Sequence, residues 1–171
     1  VTTNDQGFAD EVRSLRSHGR RDGLMLSLSG NNRMPDINAA LGLSQLKRCD
    51  EMRERRVELV AEYDAKLWGV DVAIPHSDMQ VSSWHLYPIR IKSGRRDEVK
   101  AKLNAQGIGV QVHYSPIVPL HPYYREPLGY QPGQFQEAEA WAAEELSLPL
   151  HAQMTEQDVE RVVAALREAL K

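Results

Sequence analysis

Two amphipathic helices are predicted from the spacing of apolar positions, one near each end of the chain. The first begins after Asp5 or Asn4, either of which can cap it, and it stops at Gly19. The last begins after Thr155, whose spacing to Asp158 is that of a capping box. Their apolar faces consist of Phe8, Val12 and Leu15, and of Val159, Val162, Val163, Leu166 and Leu170.

A long helix is predicted from Pro35 to about residue 67, after a polar loop at 20–33. Proline suits the first helical turn, where its missing N–H costs nothing, and no later proline interrupts the pattern. Gly42 weakens the helix, so a break is an open alternative. A change of composition at 69–83 indicates a linker, and the domain boundary is expected there or within the long helix.

The C-terminal half is predicted to alternate strands and helices. Aromatic and β-branched residues at 84–91 favour a strand, in which Pro88 must occupy an edge or a bulge. Strict alternation at 109–114 predicts a second strand, and a short extended piece is expected at 146–150. Helices are predicted at 95–106 and 135–146, and the proline-rich stretch 115–132 is expected to form an ordered loop or a set of turns. This order predicts a compact α/β domain with a small sheet packed against helices.

Composition narrows the classes of partner. The chain has 171 residues, of which 42% are hydrophobic and 26% charged, and its net charge is −3. Nothing electrostatic therefore recruits nucleic acid or an anionic membrane, and no apolar run approaches membrane-spanning length. The lone Cys49 fits a reducing compartment, so a cytoplasmic location is expected. The first residue is not Met, which indicates a fragment of a longer protein.

Few residues suggest chemistry by pattern alone. Asn31 and Arg33 lie in a loop directly ahead of a predicted helix start, where backbone N–H groups and the helix dipole favour an anion. The ordinary alternative is an Asx turn in a surface loop. A histidine in a strand, such as His85 or His113, is by default a structural residue. The six histidines show no metal-ligand spacing, and no nucleophile motif or Gly-rich phosphate loop is present.

Several stretches of the sequence nevertheless resemble one enzyme family. They lie at 29–46, 84–89, 111–116 and 121–124, in the order that the family has them. The family is that of the DegT-type sugar-nucleotide aminotransferases, which depend on pyridoxal phosphate (PLP). The resemblance implies that this chain is the C-terminal part of a fold type I PLP-dependent transferase. Residues 1–68 would then be the end of the large PLP domain and a long linking helix, and residues 69–171 the small α/β domain.

The resemblance also implies roles for individual residues. Asn31 falls on a family asparagine that reaches across the dimer to the PLP phosphate of the other subunit, although Gly30 and Asn32 replace the family's aromatic residues beside it. His113 and Tyr114 fall in the region that lines the sugar-nucleotide pocket. Arg33, His85 and His121 lie in the other family-like stretches and are expected to bind substrate.

The implied reaction moves an amino group to a keto-sugar nucleotide in cell-surface or secondary-metabolite sugar biosynthesis. Glutamate is the amino donor that the resemblance implies. The family-like stretches are most similar to those of enzymes that aminate 4-keto-6-deoxy sugar nucleotides, including the enzymes of the pseudaminic-acid route. The resemblance also implies a homodimer. None of the six lysines has the surroundings of the family's cofactor lysine, so this chain alone is expected to be inactive and not to retain PLP. The alternatives are a non-catalytic sugar-nucleotide-binding or regulatory module, and an incomplete product with no role of its own.

Overall fold

The computed structural model describes residues 1–75 and 82–171, which form two compact units, Val1–Cys49 and Asp50–Lys171. This division falls inside the long helix predicted from the sequence, whereas the predicted domain boundary lies after residue 68. The two compact units are defined by contacts within this chain, whereas the predicted boundary after residue 68 separates domains of a longer protein. The domain boundary after residue 68 therefore stays a prediction. Residues 76–81 of the predicted linker lie outside the described residues.

The N-terminal unit consists of short elements. Helix α1 spans Gln6–Arg16, and the side chain of Asp5 caps it by accepting a hydrogen bond from the Phe8 N–H at 2.9 Å. The predicted loop at 20–33 is wrong in one respect, because strands β1 (Arg20–Arg21) and β2 (Leu24–Met25) form a small antiparallel hairpin there. Asp22 and Gly23 have φ values of 51° and 85°, which is the left-handed pair that a two-residue hairpin turn requires.

The long predicted helix is two helices. Helix α2 spans Asp36–Leu46 and α3 spans Cys49–Lys66, with a turn at 47–48 between them. Gly42 lies within α2, so the break is not at the residue that the sequence marks as weak. Lysine and arginine, the residues of the turn, both favour helices, and helix propensity therefore gives no signal for this break.

The C-terminal unit places a two-stranded antiparallel sheet among helices. Its elements after α3 are β3 (Tyr87–Arg90), α4 (Arg96–Ala105), a 3₁₀ turn (Val118–Leu120), α5 (Pro122–Leu128), α6 (Gln136–Glu144), β4 (Glu145–Leu148) and α7 (Glu156–Ala169). The two strands pair in the register Tyr87↔Leu148 to Arg90↔Glu145. One continuous core joins them to α3, α4 and α7, and its fully buried members include Leu59, Tyr63, Ile89, Val99, Leu146 and Leu166.

Several local predictions for this unit are confirmed. Thr155 and Asp158 form the capping box of α7, and Val159, Val162, Val163 and Leu166 are buried along one face. Pro88 lies in β3 on the side away from β4, since the N–H of Ile91 points to β4 and that of Arg90 points to Ala73. The missing N–H of the proline therefore removes no bond between the strands.

One prediction for the C-terminal unit is wrong, because the segment 109–114 forms a single bridge, Gln111↔Ser147, in place of a strand. Another is incomplete, because the stretch 115–132 contains the 3₁₀ turn and also a helix, α5, which begins at Pro122 and is capped by Gly129 with φ 70°. Proline at the first position of a helix and a left-handed glycine after its last residue are both helix signals. The high proline content of the stretch leads to the prediction of a loop or turns instead.

Candidate functional site

The loop that carries Asn31 is fastened to the end of α1. The amide N–H and side-chain Nδ2 of Asn32 donate to the carbonyl oxygens of Arg16 and Leu15, at 2.9 and 3.2 Å, and the His18 N–H donates to the Gly30 carbonyl at 3.0 Å. The two bonds from Asn32 occupy carbonyls that the end of α1 leaves without a partner in the helix. Asn32 thus holds the loop in place.

Gly19 is required where the loop returns to α1. Its φ is +68°, and a Cβ added there would lie 2.0 Å from the carbonyl oxygen of Ser27. The predicted helix stop is therefore also a point where two backbone segments touch. A larger residue would displace the stretch that leads to Asn31.

The side chain of Asn31 has one fixed end and one free end. Its Oδ1 accepts hydrogen bonds from the Arg33 N–H at 3.4 Å and from Arg33 Nε at 3.0 Å. The first of these is an Asx turn, so the ordinary alternative from the sequence is present. Because Oδ1 is occupied, Nδ2 faces outward, and it has no acceptor among residues 1–75 and 82–171.

This loop fits a phosphate group. Both Asn31 and Arg33 are exposed, and Pro35 immediately precedes the N-terminus of α2. An amide donor, a guanidinium and a helix N-terminus all favour a bound anion. Each of these three groups can therefore contribute a hydrogen bond or charge to a bound anion.

The second candidate place is a buried chain of hydrogen bonds around His113. The Glu145 side chain, which is 0% exposed, accepts from the His113 N–H at 2.6 Å and from Ser147 Oγ at 2.6 Å. Ser147 Oγ in turn lies 2.9 Å from His113 Nδ1. The backbone and the ring of His113 are thus both fixed to strand β4.

Glu145 explains why the segment before His113 does not continue as a strand. After the Gln111↔Ser147 bridge, a regular antiparallel ladder would next pair His113 with the backbone of Glu145. That backbone is already occupied, because its N–H donates to the Trp141 carbonyl and its carbonyl accepts from Arg96 Nη1 at 3.1 Å. The carboxylate takes the place of the carbonyl, and the ladder ends there.

The other predicted site residues lie at the surface. Tyr114 is 66% exposed, so it is not a core residue, and its ring meets that of His113 edge to face at 5.0 Å. His85 is exposed and precedes β3, so it lies outside the strand, which the sequence predicted to begin at residue 84. His121 is also exposed, and its carbonyl begins α5 by accepting from the N–H groups of Tyr124 and Arg125.

Within each unit the structure brings some predicted residues together. Asn31 contacts Arg33 in the N-terminal unit, and His113 contacts Tyr114 in the C-terminal unit. Sequence reasoning missed Glu145 and Ser147. The available signal was a polar residue at alternate positions of an otherwise apolar strand, in the run Glu145-Leu-Ser-Leu148.

No helix in the described ranges 1–75 and 82–171 has both the length and the apolar character that crossing a bilayer demands. The sequence comparisons are more specific. The sequence profile of the DegT/DnrJ/EryC1/StrS aminotransferase family matches residues 1–167. The spore coat polysaccharide biosynthesis protein SpsC of Bacillus subtilis is 34% identical over 192 residues, covering 100% of this chain and 49% of SpsC. The erythromycin biosynthesis sensory transduction protein EryC1 of Saccharopolyspora erythraea is 31% identical, covering 98% of this chain and 46% of EryC1.

Solved structures agree with this assignment. DesV of S. venezuelae superimposes with a TM-score of 0.88 at 32% identity, over 99% of this chain and 46% of DesV. PseC of Helicobacter pylori, an aminotransferase involved in the biosynthesis of pseudoaminic acid, gives 0.87 at 30% identity, over 98% of this chain and 47% of PseC. A putative sugar aminotransferase from Streptococcus pneumoniae, 27% identical, has been solved in a PLP form and in a PMP form.

The chain spans about half the length of the relatives that it matches. The fold predicted from the sequence, the C-terminal portion of a PLP-dependent transferase with a small sheet among helices, is confirmed by these superpositions. The resemblance in the family-like stretches is confirmed by the match over residues 1–167. The chain belongs to the DegT/DnrJ/EryC1/StrS aminotransferase family.

Proposed function

We propose that this chain is the C-terminal part of a PLP-dependent aminotransferase that moves an amino group from glutamate to a keto-sugar nucleotide. The observation that carries the proposal is the family match over residues 1–167, which includes both the Asn31 loop and the His113 segment. Relatives with polysaccharide, antibiotic and pseudoaminic acid biosynthesis in their names support a sugar as the acceptor. The parent enzyme is proposed to be cytoplasmic and homodimeric.

Asn31 is proposed to bind the phosphate of PLP through the outward-facing Nδ2, with Arg33 holding the amide in that orientation. When bound, PLP supplies the electron sink that allows an amino group to move between carbon atoms. In a dimer, this loop would serve the cofactor of the partner subunit, as the family resemblance implies.

The sugar nucleotide is proposed to lie against His113 and Tyr114, with Arg33, His85 and His121 as further contacts. The fixed ring of His113 and the exposed, edge-on ring of Tyr114 support this role, since together they offer a polar atom and an aromatic surface. Binding groups held in this way by a rigid strand keep their geometry when the ligand arrives.

The 171-residue chain alone is proposed not to transaminate, because none of its six lysines lies in a family-like lysine segment. The test incubates this chain and the full-length parent separately with PLP, glutamate and a panel of keto-sugar nucleotides. Amino-sugar product is detected by mass spectrometry. Product from the parent only is expected, and product from the isolated chain would contradict the inactivity.

The alternative, a non-catalytic sugar-nucleotide-binding module, predicts a different outcome in the same test. The parent would bind a nucleotide sugar in a titration and form no amino sugar with any member of the panel. Such a result would remove the transaminase proposal and leave the binding role.

A further inference from the structure

The side chain of Glu145 is the most buried acidic group in the described part of the chain, and it lies outside the four stretches 29–46, 84–89, 111–116 and 121–124. A buried carboxylate is costly unless hydrogen bonds satisfy it. Both of its oxygens accept a hydrogen bond, one from the backbone N–H of His113 and the other from Ser147 Oγ, each at 2.6 Å. The arrangement is thus complete on the protein side and fixes the direction of every hydrogen bond in it.

The direction of these bonds determines where His113 carries its proton. An ionised Glu145 only accepts hydrogen bonds, and with Glu145 in that form the Ser147 hydroxyl hydrogen points to its Oε1. Ser147 Oγ then presents a lone pair to His113 Nδ1, 2.9 Å away, and Nδ1 must be the protonated nitrogen. In the neutral ring, Nε2 is therefore a hydrogen-bond acceptor, and it has no partner among residues 1–75 and 82–171.

We propose that Glu145 and Ser147 are positioning residues that hold His113 in its Nδ1–H form, so that Nε2 accepts a hydrogen bond from a hydroxyl group of the sugar nucleotide. The identity of the ligand rests on the proposed function, whereas the state of the ring does not. A neutral acceptor favours a sugar hydroxyl at this point and disfavours a phosphate or carboxylate oxygen, which would place lone pair against lone pair. The hydrogen-bond chain would thus contribute to specificity for the sugar part of the ligand.

The first experiment measures the tautomer of His113 in the 171-residue chain. Long-range ¹H–¹⁵N correlation spectra of histidine-labelled protein, recorded at about pH 8.5, where histidine is ordinarily neutral, distinguish the two ring nitrogens. We expect a protonated Nδ1 and an unprotonated Nε2. A protonated Nε2 in the wild-type chain would overturn the proposal without bearing on the transaminase function.

Glu145→Gln gives the sharpest variant, because glutamine keeps the shape and reverses one hydrogen bond. The glutamine Oε1 would accept from the backbone N–H of His113, so the glutamine Nε2 would donate to Ser147 Oγ. The serine hydroxyl hydrogen would then be free to turn away. That hydrogen would then donate to His113 Nδ1, and the ring is expected to switch to the Nε2–H form. Ser147→Ala should shift the tautomer ratio less, by about two- to tenfold, because it only removes one bond.

Glu144→Gln is the matched control. Glu144 is the neighbouring acid, but it pairs with Arg90 at 2.7 Å and not with His113. Its spectrum should show the wild-type tautomer. An unchanged tautomer in Glu145→Gln, or the same change in Glu144→Gln, would overturn the positioning role.

The second experiment concerns the ligand and uses the full-length parent. His113→Phe should raise the KM for the sugar nucleotide by about tenfold and leave the glutamate half-reaction near its wild-type rate, since the ring loses the nitrogen that accepts from the sugar hydroxyl. An unchanged KM in His113→Phe would overturn the contact between Nε2 and the sugar. Absence of any transamination by the wild-type parent would instead remove the proposed function, and the spectra would still test the ring.

Discussion

Asn31 and Asn32 are neighbours of the same type that serve opposite purposes. Asn31 uses its oxygen within the loop and turns its amide outward, whereas Asn32 uses both its backbone N–H and its amide to hold the end of α1. The difference arises from the antiparallel bridge between Ser17 and Asn31, which directs alternate residues to opposite sides. One residue is therefore available to a ligand and the other is part of the support.

In the full-length parent, Asn31→Ala is expected to weaken PLP binding by about tenfold to a hundredfold. The physical reason is the loss of a charge-assisted hydrogen bond to phosphate, worth roughly 1.5–3 kcal/mol. Cofactor titration measures the affinity, and a melting curve of the cofactor-free protein measures stability. Asn32→Ala is the matched control, and it should lower the melting temperature as well as the affinity. Unchanged PLP affinity in Asn31→Ala would remove this residue from the site.

Two stacked tyrosines in the C-terminal core allow a second comparison between single residues. The Tyr87 hydroxyl donates to Asp64 Oδ1 at 2.6 Å, and the Tyr63 hydroxyl donates to the Pro149 carbonyl at 2.9 Å. Their rings stack at 4.7 Å, and burial raises the pKa of both hydroxyls well above the ordinary value. Both therefore remain protonated donors at any pH at which the protein is used.

Tyr87→Phe is expected to lower the free energy of unfolding by about 1.5–3 kcal/mol, because it removes a bond to a carboxylate. Tyr63→Phe removes a bond to a neutral carbonyl and should cost about 0.5–1.5 kcal/mol. Urea denaturation followed by tryptophan fluorescence measures both, since Trp68, Trp84 and Trp141 all lie in the C-terminal unit. Equal losses in the two variants would show that ring packing, and not the charge of Asp64, sets the cost.

At the scale of elements, helices α7 and α2 differ in how they are capped at the N-terminus and in how much of their surface is buried. Helix α7 begins with a complete capping box and buries one apolar face. Helix α2 has no side chain that caps it and no buried residue, although most of its positions are apolar. A helix that is apolar on all sides normally lies inside a protein. The apolar face of the first element is thus buried, whereas the apolar residues of the second stay exposed.

The capping box predicts a specific acid sensitivity of α7. Backbone and side-chain hydrogen bonds from Thr155 lower the pKa of Asp158 below its ordinary value, with a further contribution from the charge of Arg161. A folded-state pKa below the unfolded one adds stability above the unfolded pKa, and this stability is lost as the pH falls through the folded pKa. Asp158→Asn should therefore destabilise the chain at neutral pH and reduce the loss of stability in acid.

Unfolding free energies of wild type and Asp158→Asn, measured between about pH 2 and about pH 7, check this expectation. The difference between the two proteins should be constant above about pH 5 and shrink below about pH 4. Glu160→Gln serves as a control on the same helix, because Glu160 pairs with Lys66 and takes no part in the cap. A difference that does not change with pH would mean that the carboxylate of Asp158 contributes only through its shape.

At the scale of the whole molecule, the N-terminal unit exposes an unusual amount of apolar surface. Leu28 is 100% exposed, and four apolar residues of α2 are each more than 60% exposed: Ile37, Leu41, Leu43 and Leu46. The same helix carries the small residues Ala39, Ala40, Gly42 and Ser44, which permit close approach of another backbone. Exposed apolar area of this kind favours association with another surface.

The 171-residue chain is therefore expected to self-associate. Light scattering across a range of concentrations measures its mass, and the double variant Ile37→Glu, Leu41→Glu should shift it toward a monomer. Leu128→Glu, at an exposed apolar position of α5, is the control for adding a charge. A position such as Val57 would not serve, because its side chain packs against the core. A wild-type chain that stays monomeric at high concentration would contradict this prediction.

Local sequence signals determined much of what is seen here. Asp5 marks the start of α1, and Thr155 with Asp158 marks the start of α7, because a cap is an interaction between residues a few positions apart. The proline of β3 was confined to the edge for the same local reason, the absence of its N–H. The family-like stretches pointed to Asn31, His113 and Tyr114 as candidates.

Tertiary structure decided what depends on distant backbone groups. Whether 109–114 became a strand depended on Glu145, more than 30 residues away, whose N–H and carbonyl were already bonded to Trp141 and Arg96. The same contact placed a carboxylate and the hydroxyl of Ser147 beside His113. A strand needs a partner with free hydrogen-bonding groups, and the positions of hydrogen-bond donors around a side chain are set only when separate segments meet. The sequence alone therefore specified the caps at the helix ends, and the tertiary structure specified the hydrogen bonds around His113.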